Sequence, residues 1–212
     1  MTLYDAIRGF YAVLGRDDEV LARALLASGA RVLQLRIKGE RPATAGQLVR
    51  AGRMARRVCD EYGAALVIND RIDVALTVGA NGVHLGQTDL PIARALELAG
   101  SRLWIGISTH NGDQVLAAVD GGADYLGFGP VFATTTKRNP DPVQGLDGLR
   151  AAVRYAGPVP VVAIGGITAE RAAEVYATGV AAICAIGAVT GAADVTAAGR
   201  RFSRDIASDS KV

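Results

Sequence analysis

The chain has 212 residues, of which 50% are hydrophobic, and its formal net charge is +2. That composition suffices for one sizeable core and indicates a single domain over residues 1–212. Interleaved acidic and basic residues argue against a nucleic-acid surface, and no apolar run reaches the length of a transmembrane helix. No signal peptide is visible, and Cys59 and Cys184 have neither metal-knuckle nor disulfide spacing. The sequence therefore predicts a cytoplasmic protein with two buried thiols.

Eight short segments rich in apolar and β-branched residues predict strands. Glycine and a small residue precede five of them, and a glycine there suits a helix that ends in the left-handed conformation. Near-continuous apolar strands of this kind are typical of a parallel sheet covered by helices. In chain order the predicted strands are Phe10–Leu14, Val32–Leu35, Ala65–Ile68, Gly82–Leu85, Leu103–Ile107, Asp124–Gly127, Pro160–Ile164 and Ala181–Ile186.

The segments between these strands predict helices. Thr44 and Gln47 form a capping-box pattern, and Asp17, Thr168 and Asp194 are predicted N-caps of other helices. The last residues, 205–212, are expected to be a frayed tail. Apolar residues recur at helical spacing along one face of the helix after Thr44. Its residues are Leu48, Ala51, Ala55, Val58, Cys59 and Tyr62.

Eight strands that alternate with helices over about 200 residues favour an α/β fold, a single closed (β/α)₈ TIM barrel. A doubly wound open sheet is the alternative.

In a barrel the functional site lies at the carboxyl ends of the strands, and polar residues follow at least five of the predicted strands. These residues are Gln34, Arg36, Lys38, Asn69, Asp70, His84, Gln87, Asp89, Ser108, Thr109, His110, Thr134, Thr135, Thr136 and Lys137.

Lysine is scarce in this chain, with three lysines against 20 arginines. Lys38 and Lys137 both follow predicted strand ends, where a compact ammonium group suits a phosphate. Gly165, Gly166 and Gly187 follow the last two strands, and backbone N–H groups there are a frequent phosphate site in barrels. The pattern predicts a mouth that binds phosphorylated ligands.

Three roles are open for Asp70 and Asp89, the two acids at the predicted mouth. They could form a general acid–base pair, Asp89 could cap the helix that starts near Pro91, or both could bind Mg²⁺ with substrate phosphates. We favour Mg²⁺, because Mg²⁺ is usually held by one or two carboxylates together with substrate phosphates and water. Two carboxylates and one divalent ion cancel in charge. The cations left for a pyrophosphate are Arg36, Lys38 and Lys137.

His84 and His110 are the only histidines, so a histidine-ligated metal centre is not expected. His84 is expected to pack at a strand end rather than act as a base. His110 is expected to lie in a loop, with a ligand contact as the alternative. No Ser–His–Asp or Cys–His order stands out, and the chemistry is therefore expected to need no protein nucleophile.

Taken in order, these motifs resemble those of the thiamine-phosphate synthase family. The resemblance runs from Tyr11 to Gly191, and although each motif is short, the ordered set is highly specific. The matching stretches are Gln34–Lys38, Asn69–Asp70, Gly82–Asp89, Ser108–His110, Gly127–Phe132, Thr134–Lys137 and Ile164–Ile167.

The resemblance implies a transferase that condenses a hydroxymethylpyrimidine diphosphate with a hydroxyethylthiazole phosphate and releases pyrophosphate. It implies that Asp70 and Asp89 bind Mg²⁺. The residues implied for the pyrimidine diphosphate are Gln34, Leu35, Arg36, Ile37, Lys38, Asn69, Ser108 and Lys137. Four of these are also implied in catalysis: Arg36, Lys38, Ser108 and Lys137. The residues implied for the thiazole phosphate are Thr134, Thr135, Thr136, Gly166, Ile186 and Gly187.

Three positions depart from the family pattern. Gly187 stands where the family usually has serine, Ala133 replaces a frequent proline, and the first strand lacks the usual Thr-Asp at its end.

Two other functions stay open. One is a thiazole tautomerase, a similar barrel that uses a histidine after strand six and lacks the Thr-x-Thr-Lys run. The other is a non-catalytic barrel that senses thiamine phosphates. Assembly into a homo-oligomer is also left open.

Overall fold

A computed structural model of the chain describes residues 1–39, 42–134 and 141–203. Eight parallel strands form a closed barrel in which each strand pairs with the next along the chain and the last pairs with the first. The prediction of an α/β TIM barrel is therefore confirmed. The strands are β1 Gly9–Leu14, β2 Val32–Leu35, β3 Ala65–Asn69, β4 Gly82–Leu85, β5 Trp104–Thr109, β6 Tyr125–Phe128, β7 Val161–Ile164 and β8 Ala182–Cys184.

Helices connect successive strands and surround the barrel. The connection from β7 to β8 begins with a 3₁₀ turn, Ala169–Arg171. In the described ranges, no helix has both the length and the apolar character needed to cross a membrane. The helices are α1 Leu3–Ala6, α2 Glu19–Ala27, α3 Ala45–Tyr62, α4 Ile72–Val78, α5 Ile92–Ala99, α6 Gly112–Asp120, α7 Gly145–Ala156, α8 Ala172–Tyr176, α9 Ile186–Thr190 and α10 Val195–Arg200.

Helix starts follow local capping chemistry. The capping box of Thr44 and Gln47 is confirmed at the start of α3, and Asp194 caps α10 by accepting a hydrogen bond from a backbone N–H. The prediction for Asp17 is wrong by one residue. Asp18 accepts from the backbone N–H of Leu21 at 2.9 Å and caps α2, whereas Asp17 pairs with Arg50 on α3. Thr168 precedes the 3₁₀ turn, but its side chain makes no capping bond.

Two apolar layers result because successive residues of a strand point to opposite faces of the sheet. The outer layer, between strands and helices, contains Leu33 and Leu35 of β2. The inner layer fills the barrel and contains Val32 of the same strand. By this alternation Gln34 points into the barrel, where it bonds to Tyr11. The side-chain period of the strand therefore decides which polar groups reach the site.

Most strand ends differ from the sequence prediction by one or two residues, and two differences bear on how the chain turns. Tyr62, expected on the buried face of α3, is 43% exposed because the helix ends there and Gly63 turns the chain with φ 60°. The eighth strand ends at Cys184, and Ile186 already begins α9. Both thiols, at Cys59 and Cys184, are buried and unpaired as predicted.

Candidate active site

A cavity of about 500 Å³ opens at the carboxyl ends of the strands. Gln34, only 5% exposed, lies deep in it, and Arg36 follows at the end of the same strand with its backbone N–H bonded to the carbonyl of Leu14. Residues that follow seven of the eight strands are brought together at this mouth. Of the predicted site residues, the cavity is lined by Gln34, Arg36, Lys38, Asn69, Asp70, Asp89, Ser108, Thr134 and Ile186.

Other predicted site residues lie elsewhere. Leu35 and Ile37 pack in the outer layer against the helices, so their side chains point away from the cavity. Gly166 and Gly187 are absent from the cavity wall. Gly166 instead packs against the backbone of Phe132, and a Cβ on it would lie 2.3 Å from the carbonyl oxygen of Ala133. The predicted residues outside the described ranges are Thr135, Thr136 and Lys137.

Lys38, Asp70 and Asp89 form a charged cluster at the rim. The Lys38 ammonium lies 3.0 Å from an Asp70 carboxylate oxygen. Asp70 has φ 61°, the one positive φ outside glycine in the described ranges, and its backbone N–H donates to the carbonyl of His84 at 2.9 Å. Burial raises the pKa of Asp70 above its ordinary value; Lys38 opposes the rise, and the neighbouring Asp89 carboxyl adds to it. A cation between the two acids would relieve this unfavourable pairing.

Asp89 is held by the turn that precedes α5. Its carboxylate accepts from the backbone N–H of Gly86 at 2.7 Å. Helix α5 begins at Ile92 after Pro91 and has no side-chain cap, so the alternative in which Asp89 caps this helix is wrong. The described ranges contain no group of three or more His, Cys, Asp or Glu side chains that could hold a metal ion. Two carboxylates nevertheless suit Mg²⁺, which takes its other ligands from water and phosphate.

Below the rim, five side chains form a continuous line of hydrogen bonds inside the barrel. The Gln34 amide nitrogen donates to the Tyr11 hydroxyl at 2.9 Å, and the hydroxyl oxygens of Tyr11 and Tyr125 are 2.9 Å apart. Tyr125 also lies 3.1 Å from Nδ1 of His84, and Nε2 of His84 lies 2.9 Å from the Ser108 hydroxyl. We call these five residues the Gln34–Ser108 chain.

Glycines on neighbouring strands make room for this chain. A Cβ on Gly106 would lie 2.1 Å from the Tyr125 ring, and one on Gly127 would lie 3.1 Å from the His84 ring. Sequence reasoning missed Tyr11 and Tyr125. Gly106, two residues before Ser108 and therefore on the same face of β5, was the available signal, because a missing side chain inside a packed barrel implies a large neighbour.

The Gln34–Ser108 chain is electrically neutral near pH 7. Burial raises the pKa of both Tyr11 and Tyr125 above their ordinary values. Burial, helped by the nearby Arg36 guanidinium, lowers the pKa of His84 to about 4. His84 is therefore an uncharged imidazole with one N–H and one acceptor nitrogen.

His110 connects the end of β5 to the segment after β6. One ring nitrogen, Nδ1, donates to the carbonyl of Gly129 at 2.6 Å, and the other lies 3.4 Å from the Asp141 carboxylate. Its backbone N–H donates to Gln114 at 2.7 Å. These contacts fix His110 at the wall of the cavity. The sequence analysis placed His110 in a loop and did not predict its partners.

Known proteins share both the sequence and the fold. The family model described as thiamine monophosphate synthase matches residues 10–189. A thiamine-phosphate synthase of Chloroflexus aurantiacus is 46% identical over 188 residues, covering 89% of this chain and 85% of that protein. The thiamine-phosphate synthase of Moorella thermoacetica is 45% identical, covering 89% and 88%. A solved structure of a thiamine phosphate pyrophosphorylase from Pyrococcus furiosus superposes with a TM-score of 0.85 at 38% identity, covering 95% of this chain and 96% of that one. This chain belongs to the thiamine monophosphate synthase family.

Proposed function

We propose that this protein joins a hydroxymethylpyrimidine diphosphate to a hydroxyethylthiazole phosphate, giving thiamine phosphate and pyrophosphate. The observation that carries the proposal is the shared mouth of Arg36, Lys38, Asp70 and Asp89 above the polar interior of the barrel. Two phosphorylated small molecules are its substrates. The relatives' names and the family match support the same reaction.

The reaction exchanges one bond for another without a protein nucleophile. The bond between the methylene carbon and the diphosphate oxygen breaks, and the electron pair leaves with the diphosphate. The amino-substituted pyrimidine stabilises the cation that forms. The thiazole nitrogen then attacks with its own lone pair, so no base is required. Neutral His84, with a pKa lowered to about 4, and Cys184, whose pKa burial raises to about 12, are consistent with a site that orients substrates.

The leaving diphosphate is assigned to the cations of the rim. Arg36 and Lys38 face the cavity, and Lys137, outside the described ranges, is proposed to join them. Their charges stabilise the negative charge that develops as the bond breaks. Asp70 and Asp89 would hold Mg²⁺, and the raised pKa of Asp70 beside Asp89 fits that role. When bound, Mg²⁺ supplies additional charge neutralisation for the diphosphate.

The pyrimidine is assigned to the deeper part of the cavity. Gln34, Asn69 and Ser108 line the cavity and offer amide and hydroxyl groups, and Gln34 is buried. Leu35 and Ile37, which pack outward, are left with backbone contacts alone.

The thiazole phosphate is assigned to the segments after β6, β7 and β8. Thr134 and Ile186 line the cavity, and backbone N–H groups of Gly166 and Gly187 are proposed as further donors. Gly187 has no hydroxyl to offer in place of the family's usual serine, so its contribution is limited to the backbone. Thr135 and Thr136 complete the proposed set from outside the described ranges.

The test is pyrophosphate release from the two substrates in the presence of Mg²⁺. We expect turnover with wild-type protein and a loss of at least about a hundredfold with Arg36→Gln. Arg94→Gln, which removes a guanidinium from an exposed ion pair on α5, is the matched control and should be unchanged. Binding of both substrates without turnover would instead indicate a sensor. Conversion of a thiazole carboxylate isomer without pyrophosphate release would indicate a tautomerase.

A further inference from the structure

The Gln34–Ser108 chain links two residues assigned to the pyrimidine through three that have no assigned role. It collects side chains from five strands, and every link is between 2.9 and 3.1 Å. Such a line of hydroxyl, imidazole and amide groups has only two self-consistent directions of donation, because each hydroxyl carries one hydrogen. The direction decides what Gln34 and Ser108 present to a ligand.

The first direction begins at Gln34. Its amide nitrogen donates to Tyr11, so the hydrogen of Tyr11 is directed to Tyr125 and that of Tyr125 to Nδ1 of His84. Neutral His84 then carries its hydrogen on Nε2 and donates to the Ser108 oxygen. The hydrogen of Ser108 remains for a ligand in the cavity.

The opposite direction requires the Gln34 amide to turn over, so that its oxygen accepts from Tyr11, whereas the structure places the amide nitrogen against Tyr11. With the amide in the observed orientation, if Ser108 donated to His84, His84 to Tyr125 and Tyr125 to Tyr11, then Tyr11 would accept from both neighbours. Its own hydrogen would have no acceptor among the described residues, since its hydroxyl bonds only to Gln34 and Tyr125. Tyr11 is 4% exposed, and a buried donor without an acceptor is costly. The first direction is therefore favoured.

We propose that Tyr11, Tyr125 and His84 are positioning residues that impose one direction on the chain, so that Gln34 presents an acceptor oxygen and Ser108 a donor hydroxyl. The Gln34 oxygen accepts no hydrogen bond from a described residue. This pattern fits an amino-substituted pyrimidine, whose exocyclic amine donates and whose ring nitrogens accept. An oxo-substituted analogue would direct a carbonyl oxygen at the Gln34 oxygen and be rejected. The inference rests on the proposed function and names the group by which it selects its substrate.

The first experiment uses the ligand-free protein and is independent of turnover. Because the protein has two histidines, ¹⁵N spectra of histidine-labelled protein show the signals of two imidazoles. The signal that remains in His110→Gln is that of His84. We expect hydrogen on Nε2 of His84 in wild type and a mixture of tautomers in Tyr125→Phe. Hydrogen on Nδ1 of His84 in wild type would overturn the proposal.

The second experiment measures discrimination, as the ratio of kcat/KM for the amino-pyrimidine diphosphate to that for its oxo analogue. Tyr125→Phe should lower this ratio at least tenfold, since an amide that turns freely can present either group. Tyr62→Phe, at the exposed end of α3, should leave it unchanged. An unchanged ratio in Tyr125→Phe would overturn the proposal.

Two provisions keep the outcomes distinct. If Tyr125→Phe does not fold, Tyr11→Phe breaks the Gln34–Ser108 chain one hydrogen bond nearer to Gln34. The same fall in the kcat/KM ratio is then expected of Tyr11→Phe. If wild-type protein releases no pyrophosphate, the proposed reaction fails. In that case the ratio of the Kd values for the amino-pyrimidine diphosphate and its oxo analogue replaces the kcat/KM ratio as the test of the direction of the Gln34–Ser108 chain.

Discussion

The Lys38 ammonium and the Asp70 carboxylate lie 3.0 Å apart at the rim of the barrel, and Asp70 adopts a left-handed backbone conformation with φ 61°. A non-glycine residue in that region carries a conformational cost of about 1 kcal/mol or more. Burial and the Asp89 carboxyl add an electrostatic cost to the ionised form of Asp70. Asp70 thus occupies a position where its backbone conformation and its burial work against stability, which is expected of a functional residue.

Replacing Asp70 should therefore separate stability from activity. We expect Asp70→Gly to raise the free energy of unfolding by about 1 kcal/mol, because glycine adopts positive φ without strain. The same variant should release pyrophosphate at least about a hundredfold more slowly. Urea unfolding and the pyrophosphate assay measure the two effects. Asp70→Asn is the matched control, since asparagine also tolerates this conformation, and it should lose activity without the full gain in stability. A fully active Asp70→Gly protein would refute the assignment.

Magnesium should stabilise the protein through the same two acids. A ligand that binds only the folded state raises its stability in proportion to the logarithm of its concentration. We expect Mg²⁺ to raise the melting temperature of wild type and EDTA to abolish pyrophosphate release. Asp89→Asn should raise the Mg²⁺ concentration required by about tenfold or more. Equal Mg²⁺ responses of wild type and Asp89→Asn would remove Asp89 from the proposed metal site.

Much of the fold was predictable from local pattern, and the parts that were not have a common physical reason. The apolar strands, the glycines after helices and the Thr44–Gln47 capping box are each determined by neighbours in sequence. The outward packing of Leu35 depends on which face of β2 meets the helices, and the pairing of Tyr11 with Tyr125 joins residues 114 positions apart. The residue types at the rim, and Gln34, His84 and Ser108 beneath it, could be read from strand ends, but the two tyrosines that connect Gln34 to His84 were missed.

Gly106 should be essential to the packing of the barrel interior. A Cβ there would lie 2.1 Å from the Tyr125 ring, and the inner layer is too closely packed for the ring to move away. We expect Gly106→Ala to lower the free energy of unfolding by about 3 kcal/mol or more, measured by urea denaturation. Gly46→Ala is the control, because Gly46 lies in α3 with open space around it. It should raise the free energy of unfolding by about 0.5 kcal/mol. A Gly106→Ala protein as stable as wild type would contradict the close packing of Tyr125.

His84 should make stability depend on pH in the weakly acidic range. Its pKa is lowered to about 4 in the folded protein from an ordinary value of 6.5, so the unfolded chain binds more protons between these values. Its contribution is therefore complete above pH 6.5 and is lost as the pH falls towards 4. The shift corresponds to at most about 3 kcal/mol. Urea unfolding of wild type and His84→Gln from about pH 7 to about pH 4.5 measures it. The free energy of unfolding of wild type should fall more steeply than that of the variant, because the other titratable groups are the same in both proteins and cancel in the difference. Parallel curves would show that His84 is as accessible to protons in the folded barrel as in the unfolded chain.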